Sequence, residues 1–387
     1  MAATIRRAGN RLAMRIAFLG TRGVPARYSG FETFVEELGS RLVERGHDVT
    51  VYCRRHHALE RLPSHAGMRL LYVPGIPTKH LDTISHTALS AVHAALERYD
   101  VTLICISGNS PLALFPRLAG SRVIVNVDGS DWRRLKWGRL ARLYLRGSER
   151  LAPRVAHAVV TDSEAMRRFY LDRFGKDSEC IGYGASVPPP VRSEMLNRLG
   201  LRPRGYFLLV HRLVPENRID HLVGAYESME TDLKCVVVGD APYAGRYIAE
   251  LRRRGPHVLF PGYVFGDGYR ELMHNAYAVV VPSEVGGAHP VLLEAMAAGN
   301  CVVVNNTPAN LEVIGDAGLA YDGQAGSDAL RPVLERLIAN PPLVEEFRGR
   351  AATRAASEFS WERVTDRYEE LFKRLMTGRV LATAEAD

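Results

Sequence analysis

Glycines and a single carboxylate stand together in the stretch PSEVGGAHPVLLEAMAAG, residues 282–299. Gly286 and Gly287 form a turn that leads into a short apolar helix, and this helix carries Glu294. A carboxylate only accepts hydrogen bonds, so it suits the hydroxyl groups of a ligand, while the free N–H groups of a helix start suit an anion. The stretch therefore predicts a site for a ligand with hydroxyls and phosphates. A surface ion pair is the alternative for Glu294.

Two arginines lie in the loop VHRLVPENRIDHLVGAY, residues 210–226. Arg212 follows a predicted strand and Arg218 opens a predicted helix, and a guanidinium group can bind a diphosphate through two parallel hydrogen bonds. A solvated surface arginine is the alternative for each of them. Because ligands of open α/β sheets bind beyond the carboxyl ends of the strands, position after a strand favours phosphate binding by Arg212.

A third loop, GTRGVPARYSGFETF at residues 20–34, joins the first predicted strand to the first helix. Gly23 and Gly30 permit a tight turn, and the N–H groups at the helix start lie near Arg22, so the loop is a candidate for anion binding. An equally good interpretation is that the glycines only allow the chain to turn.

Alternating strands and helices must position these loops. Short β-branched runs alternate with helical patterns from residue 14 to about residue 162, and a second series runs from YFLLV to CVVVNN. This alternation is typical of parallel α/β sheets. Three consecutive prolines in ASVPPPVRS separate the two series, because proline cannot continue a helix or a central strand.

The pattern predicts an α/β fold with two Rossmann-like domains that face a central cleft. We expect an N-terminal domain at residues 14–190 and a C-terminal domain at residues 205–360. A last amphipathic helix at residues 361–376 is expected to pack back on the N-terminal domain.

The charge balance narrows the classes of ligand. The net charge is +7, and only five of the 50 basic residues are lysine. Such a surplus suits nucleic acid, phosphorylated small molecules or anionic lipid. The chain has neither a basic patch interleaved with aromatic residues nor a recognised nucleic-acid-binding module, which argues against nucleic acid.

Cysteines and hydropathy indicate the compartment. The five cysteines are scattered and mostly lie in apolar runs, which argues against a disulfide framework and for a reducing cytosol. The basic N-terminus lacks the apolar region of a signal peptide, and no run reaches the about 18 apolar residues that span a bilayer. The sequence predicts a cytoplasmic protein that can bind peripherally to the inner face of the cell membrane.

Several motifs together resemble a known family. RGHDVTVYCR, the Arg212 loop, FPGYV at residues 260–264 and HPVLLEAMAAGNCVVV follow the order and spacing of the retaining glycosyltransferases of family 4, which have the GT-B architecture. The resemblance implies an N-terminal acceptor domain and a C-terminal donor domain. It implies that Arg212 and Arg218 bind the diphosphate of a nucleotide sugar, that Glu294 binds its ribose, and that Gly262 belongs to the donor site.

Two positions depart from the family pattern. Gly286 replaces a second glutamate that usually contacts the donor sugar, and Asn217 replaces a lysine that usually holds the diphosphate. Both departures, together with the loop at residues 20–34, the motif NVDGSDWRRLKWG and PEN, are similar to a rhamnosyltransferase subgroup. This resemblance implies a deoxyhexose donor such as rhamnose, with Gly286 and Gly287 letting the sugar approach the backbone.

The acceptor side is predicted at NVDGSDW. Asp128 occupies the place of a family histidine that faces the sugar, which implies that it orients the acceptor hydroxyl or stabilises a cationic transition state, with Asp131 and Trp132 beside it. An Asp-Gly turn is the alternative for Asp128. The resemblance implies front-face attack assisted by the leaving diphosphate, since no protein nucleophile is obvious.

No metal and no cofactor is expected. Paired aspartates or a histidine cluster at metal-ligand spacing are missing from the sequence, and the adjacent His56 and His57 would need partners from elsewhere. The expected partners are a nucleotide-sugar donor and a glycan or polyprenyl-diphosphate-linked acceptor. A sugar-nucleotide epimerase of the same architecture and a non-catalytic nucleotide-sugar-binding module are the alternatives.

A basic amphipathic segment at residues 132–154 accounts for the expected membrane contact. On a helix its arginines and its apolar residues form two stripes, Arg139, Arg142, Arg146 and Arg150 on one and Leu140, Leu143, Tyr144 and Leu151 on the other. Arginine near anionic headgroups is attracted to them, which predicts salt-sensitive binding to anionic membranes. An ordinary surface helix is the alternative.

Overall fold

A computed structural model describes residues 7–8, 11–26, 30–58, 60–78, 81–127, 132, 137–190, 194–241, 244–285 and 287–384, with side chains at residues 13–378. The chain divides into two compact units. The first consists of Met1–Gly182 together with Trp361–Asp387, and the second is Tyr183–Ser360. The three consecutive prolines at which the domain boundary is predicted lie just inside the second unit.

The first unit is built on an eight-stranded sheet. A short antiparallel hairpin, β1 (Arg7–Ala8) and β2 (Arg11–Leu12), precedes it. The strands of the sheet are β3 (Arg15–Leu19), β4 (Asp48–Arg54), β5 (Ser64–His65), β6 (Met68–Val73), β7 (Val101–Cys105), β8 (Arg122–Val127), β9 (Ala158–Thr161) and β10 (Glu179–Cys180). Their order is β10-β9-β8-β7-β3-β4-β6-β5, and every pairing except β5 with β6 is parallel.

Helices cover this sheet on both faces. They are α1 (Gly30–Glu44), α2 (Asp82–Glu97), α3 (Leu114–Leu118), α4 (Arg139–Val155) and α5 (Glu164–Phe174), with a 3₁₀ segment, Ser107–Ala113, before α3. Residues of α2, α4 and α5 share one hydrophobic core with alternate residues of the central strands, among them Ala17, Leu19, Ala91, Ala94, Ala152 and Tyr170. Helices α2, α4 and α5 therefore lie on one face of the sheet.

The second unit contains a six-stranded, fully parallel sheet. Its strands are β11 (Tyr206–Val210), β12 (Lys234–Val238), β13 (Val258–Gly262), β14 (Ala278–Val281), β15 (Cys301–Asn305) and β16 (Leu319–Tyr321), in the order β13-β12-β11-β14-β15-β16. Its helices are α6 (Met195–Leu199), α7 (Ile219–Glu227), α8 (Gly245–Arg254), α9 (Gly266–Asn275), α10 (Pro290–Ala297), α11 (Pro308–Ile314), α12 (Ser327–Ala339) and α13 (Pro341–Glu358). A 3₁₀ turn, Pro215–Asn217, precedes α7.

The continuous apolar character of the strands explains the architecture. All residues of β14 and β15 are buried, because helices cover both faces of a parallel sheet and leave no solvent side for polar residues. The predicted α/β class with two parallel sheets is confirmed.

The last helix, α14 (Trp361–Ala384), belongs to the first unit, where it packs on α1 and β8. The rings of Phe34 and Tyr368 have centroids 5.4 Å apart, and Nδ2 of Asn126 donates a hydrogen bond to the Tyr368 hydroxyl at 2.8 Å. Arg45 adds ion pairs to Asp366 at 2.7 Å and to Glu369 at 2.9 Å. Among the described helices, none combines the length and apolar character needed to cross a bilayer.

Candidate functional site

The carboxyl ends of the central strands in the second unit bring the predicted donor loops together. The N–H of His211, after β11, donates to the carbonyl of Val238 at 3.0 Å, and the N–H of Gly239 donates to the carbonyl of Gly262 at 2.8 Å. The rings of His211 and His289 lie edge to face with centroids 5.4 Å apart, which joins the β11 loop to the start of α10. The loops after β11, β12 and β13 and the start of α10 thus form one site at this edge of the sheet.

Asn217 holds the loop that presents Arg212. Its side chain is 3% exposed, and its Nδ2 donates hydrogen bonds to the carbonyl oxygen of Arg212 at 2.8 Å and to Nδ1 of His211 at 2.6 Å. The N–H of Arg212 also donates to this Nδ1 at 2.9 Å. Because Nδ1 accepts both bonds, the neutral imidazole of His211 carries its proton on Nε2. Asn217, which was predicted to lie at the diphosphate, therefore stabilises the Arg212 loop through its hydrogen bonds to His211 and Arg212.

Two glycines are required by the backbone at this edge. Gly239 has φ +134°, and a Cβ there would lie 1.9 Å from the carbonyl oxygen of His211. Gly262 ends β13 with φ +80°, a conformation that side chains rarely adopt. The predicted donor residue Gly262 thus shapes the loop through its backbone conformation.

Arg218 is paired with Glu284. Its Nε lies 2.6 Å from Oε2 of the carboxylate, both side chains are more than two-fifths exposed, and the hydrogen bond to Glu284 raises the pKa of Arg218. The residue adopts a left-handed conformation, φ 49°, as it starts α7. A diphosphate would have to compete with Glu284 for this guanidinium.

Glu294 receives a hydrogen bond from Tyr269 of α9. The Tyr269 hydroxyl donates to Oε2 of the carboxylate, which lies in α10 and is half-buried. Burial, the negative charge of Glu294 and this hydrogen bond raise the pKa of Tyr269 well above its usual range, so its hydroxyl remains a donor. The hydrogen bond from Tyr269 thus holds one oxygen of the Glu294 carboxylate in place. The predictions from sequence missed Tyr269, because it lies on another helix and no local spacing connects it to Glu294.

The start of α10 follows the predicted turn chemistry. His289 is the N-cap in extended conformation, Pro290 occupies the first helical turn, and Gly287 is buried just before them. Gly286 lies outside the described residues. At this helix start Pro290 has no N–H, and the N–H groups of Leu292 and Leu293 donate to the carbonyl oxygen of His289 at 2.9 and 3.4 Å.

The glycine loop of the first unit is held by carboxylates of its own helix. The N–H of Arg22 donates to Oε1 of Glu32 at 2.9 Å, and the N–H of Ala26 donates to Oε2 of Glu36 at 2.5 Å. Gly23 has φ +111°, and a Cβ there would lie 2.5 Å from the sulfur of Cys53, so this glycine permits close packing on β4. Gly30 begins α1. Two backbone donors of the candidate anion loop are therefore already engaged.

The predicted acceptor residues are only partly described. Asp128 and Asp131 lie outside the described residues. Trp132 is tied to α4, since its Nε1 donates to Oε2 of Glu149 at 2.9 Å and the guanidinium of Arg146 lies 4.2 Å from its ring centroid. Trp132 thus packs against the middle of α4.

His56 and His57 lie next to Asp82, a partner that could not be identified from the sequence. Their Nε2 atoms lie 2.9 and 3.4 Å from the two oxygens of Asp82 at the start of α2. The guanidinium of Arg54 lies 2.7 Å from the same carboxylate. Burial on its own would raise the pKa of Asp82, but the charge of Arg54 outweighs it and lowers that pKa. Because Arg54 already neutralises the carboxylate, the group is a poor site for a cation.

Solved structures share this fold over nearly the whole chain. Sucrose-phosphate synthase from Thermosynechococcus elongatus superimposes with a TM-score of 0.79 at 20% identity, over 94% of this chain and 100% of that one. The Anabaena protein HepE in complex with UDP-glucose gives a TM-score of 0.77 at 19% identity, over 93% of this chain and 100% of that one. These similarities show the GT-B fold.

Two family models match consecutive parts of the chain. A model described as glycosyl transferase 4-like domain matches residues 29–181, and a model described as glycosyl transferases group 1 matches residues 193–354. The chain is a group 1 glycosyltransferase with the GT-B fold. The predicted family is confirmed at this level.

Curated relatives align with this glycosyltransferase over most of its length. It is 28% identical to the GDP-mannose-dependent alpha-(1-6)-phosphatidylinositol monomannoside mannosyltransferase of Mycobacterium tuberculosis, over 94% of this chain and 97% of the relative. It is also 28% identical to O-antigen chain mannosyltransferase B of Escherichia coli, over 57% of this chain and 55% of that protein. The glycosyltransferase therefore transfers a sugar from a nucleotide donor to an acceptor in glycolipid or polysaccharide synthesis.

Proposed function

We propose that this glycosyltransferase transfers a deoxyhexose such as rhamnose, with retention of configuration, from a nucleotide diphosphate to a glycan or a lipid-linked saccharide. The product would serve cell-surface polysaccharide synthesis. The observation that carries the donor assignment is the pair of Glu294 and Tyr269 beside the braced Arg212 loop, at one edge of a parallel sheet. The Glu294 carboxylate can accept hydrogen bonds from the hydroxyls of a ribose, and the Arg212 guanidinium can bind a diphosphate.

The nucleotide is bound by fixed groups. Glu294 accepts hydrogen bonds from the ribose hydroxyls while Tyr269 holds its other oxygen. Arg212 and the positive end of the α10 dipole bind the diphosphate, and His211, which carries its proton on Nε2, is a further donor at the same edge. Because the Asn217 side chain is buried and bonded within its own loop, these neutral and cationic donors take the place of the lysine that family members usually have at this position.

The sugar is accommodated by glycine. Gly286 and Gly287 precede α10 and leave room for the hexose to approach the backbone. A glycine in place of a carboxylate removes a partner for sugar hydroxyls, which favours a sugar with fewer of them. The relatives named above include mannosyltransferases, so GDP-mannose is the main competing donor.

The transfer itself needs no covalent protein intermediate. The acceptor oxygen forms a bond to the anomeric carbon as the bond from that carbon to the diphosphate oxygen breaks, and the acceptor proton passes to the leaving diphosphate on the same face. Arg212 and the α10 N-terminus stabilise the charge that develops on the diphosphate. Asp128 is proposed to orient the acceptor hydroxyl, with Asp131 and Trp132 beside it.

The acceptor is proposed to be carried by lipid at the inner face of the cell membrane, on which a cytoplasmic enzyme acts from the water side. One relative uses a phosphatidylinositol acceptor and another acts on O-antigen chains, as their names state. The basic helix α4 suits such a surface, since its exposed charged side chains are arginines.

A donor panel tests the proposal. Calorimetric titration of the full chain with dTDP-rhamnose, UDP-glucose, UDP-N-acetylglucosamine and GDP-mannose should show the tightest binding for dTDP-rhamnose, and a clear preference for any other donor would refute the deoxyhexose assignment. Slow transfer to water supplies a second readout, because proton NMR of the first sugar released shows whether configuration is retained. Conversion of the nucleotide sugar alone into an epimer would identify an epimerase instead, and binding without any transfer would identify a non-catalytic module.

A further inference from the structure

Helix α2 exposes its large aliphatic side chains and buries its small and polar ones. All of α2 lies within the described residues, and its three exposed positions are Leu89 (50% exposed), Val92 (43%) and Leu96 (77%). Its buried side consists of His86, Thr87, Ser90, Ala91 and Ala94. The exposed positions follow the i, i+3, i+7 spacing of a single helix face. Most surface helices show the reverse distribution, and contiguous exposed apolar surface marks an interaction site.

Helix α3 continues this apolar surface. Its exposed positions are Leu114, Phe115 and Leu118, and Leu118 is 84% exposed. Helices α2 and α3 pack on each other, and α2 and the 3₁₀ segment before α3 contribute residues to the same core on one face of the sheet. We use the name α2–α3 ridge for the six residues Leu89, Val92, Leu96, Leu114, Phe115 and Leu118.

The adjacent helix α4 brings positive charge to the same layer. Arg117 of α3 donates a hydrogen bond to the carbonyl oxygen of Val155 at the end of α4, at 2.7 Å. The exposed charged residues of α4 are all arginines, namely Arg139, Arg146, Arg150 and Arg154. Its one acidic residue, Glu149, is 2% exposed and accepts the hydrogen bond from Trp132. Exposed Leu140 and Leu143 lie between the arginines.

We propose that the α2–α3 ridge inserts into an anionic lipid bilayer, to which the arginines of α4 attract the protein. Aliphatic and aromatic side chains gain free energy when they leave water for the acyl boundary, and arginines interact favourably with anionic headgroups. The ridge lies outside the donor site. The proposal of lipid insertion rests on the proposed function only in that a lipid-linked acceptor would lie at such a membrane surface.

A second copy of the chain is a poorer occupant of this surface. In a symmetric dimer the same patch meets itself, so the arginines of α4 would approach their own counterparts. Like charges repel in such an interface, whereas an anionic bilayer complements them. We therefore assign the ridge to lipid.

A fluorescent probe tests insertion directly. Cys53, Cys105, Cys235 and Cys301 are buried, so a bimane dye on Leu96→Cys in a Cys180→Ser background labels the ridge selectively. We expect a blue shift of its emission with vesicles of phosphatidylcholine and phosphatidylglycerol. The same dye on Leu311→Cys, an exposed leucine of the second unit, should not shift. Unchanged emission at Leu96 with these vesicles would overturn the proposal.

A binding experiment with a matched control completes the test. The double variant Leu89→Gln/Leu96→Gln should reduce cosedimentation with the anionic vesicles roughly tenfold, while Leu311→Gln leaves it unchanged. Binding of nucleoside diphosphate by the double variant should equal that of the wild type, which also shows that it is folded. If the wild type binds no nucleotide, the proposed function fails while the vesicle result stands. A dimer in sedimentation velocity that the double variant dissociates, without vesicle binding by the wild type, would assign the ridge to a second copy and refute lipid insertion.

Discussion

The Tyr269 hydroxyl donates a hydrogen bond to the carboxylate of Glu294, across the gap between α9 and α10. This bond fixes the position of Oε2 and so helps to set the orientation of the carboxylate. The raised pKa of Tyr269 keeps its hydroxyl protonated through the physiological range, so it remains the donor in this bond. Tyr269 is therefore a positioning residue for Glu294.

Replacing Tyr269 with phenylalanine should weaken binding of a nucleoside diphosphate by about 1 kcal/mol, or roughly fivefold in Kd, because the carboxylate loses the bond that orients it. Titration calorimetry measures the change. Inorganic diphosphate, which has no ribose, provides the control ligand and should bind the variant as it binds the wild type. Equal losses for both ligands would show that Tyr269 supports the whole loop and does not act through Glu294.

Arg212→Ala and Glu294→Ala should separate the two halves of the donor site. Each variant loses a charged hydrogen-bonding group, so the affinity for nucleoside diphosphate should fall by about 1.5–3 kcal/mol. Arg212→Ala should also weaken binding of inorganic diphosphate, whereas Glu294→Ala should not. Arg253→Ala is the matched control, since this exposed arginine of α8 pairs with Glu250 in the same unit. Wild-type affinity in both site variants would remove Arg212 and Glu294 from the donor site.

The pairing of Arg45 with Glu369 should make the first unit sensitive to acid. Burial on its own would raise the pKa of Glu369, but hydrogen bonds from Lys373 and Arg45 outweigh it and lower that pKa to about 2. A carboxyl group with a lowered pKa stabilises the fold above its unfolded value of about 4.3, and this contribution is lost as the pH falls toward the folded value. Glu369→Gln should therefore destabilise the unit by about 1.5–3 kcal/mol at pH 7, and the difference from the wild type should shrink below about pH 4.3.

Tryptophan fluorescence in urea measures this effect, because Trp132, Trp137 and Trp361 all belong to the first unit. Glu362→Gln is the control, since Glu362 also pairs with Arg45 but its side chain is 66% exposed. Its loss should cost about 0–1 kcal/mol. Similar losses for the two variants would mean that burial of Glu369 adds nothing to the pair.

The strands and the donor loops could be predicted because their signals are local. Strands buried on both faces are continuous apolar runs, as in β15, and Arg212 and Glu294 each follow a strand in a short stretch of sequence. Tyr269 and Asp82 could not be predicted in the same way. Each meets its partner only through tertiary packing of another helix or loop.

The orientation of α2 shows a second limit of sequence patterns. Leu89, Val92 and Leu96 have the spacing of a buried helix face, and a periodicity argument places such residues in the core. In the structure the small residues Ala91 and Ala94 face the sheet instead, which lets the helix approach it closely and turns the leucines outward. Apolar periodicity identifies an apolar face of a helix, without identifying whether that face packs on the core.

Removing positive charge from α4 should weaken binding to anionic vesicles. We expect the variant Arg139→Gln/Arg142→Gln/Arg146→Gln to cosediment less with anionic vesicles and to turn over a lipid-linked acceptor more slowly, while its binding of nucleotide is unchanged. Its vesicle binding should also depend less on salt, because each arginine near the headgroups contributes roughly 1 kcal/mol of screened attraction. Arg146 also stacks on Trp132, and Arg142 is half-buried, so this variant changes local packing as well. The variant Arg139→Gln/Arg150→Gln/Arg154→Gln keeps Arg142 and Arg146 and removes only exposed arginines. If the second variant sediments with anionic vesicles as the wild type does, at low and at high salt, α4 is a structural helix whose arginines do not contact the membrane.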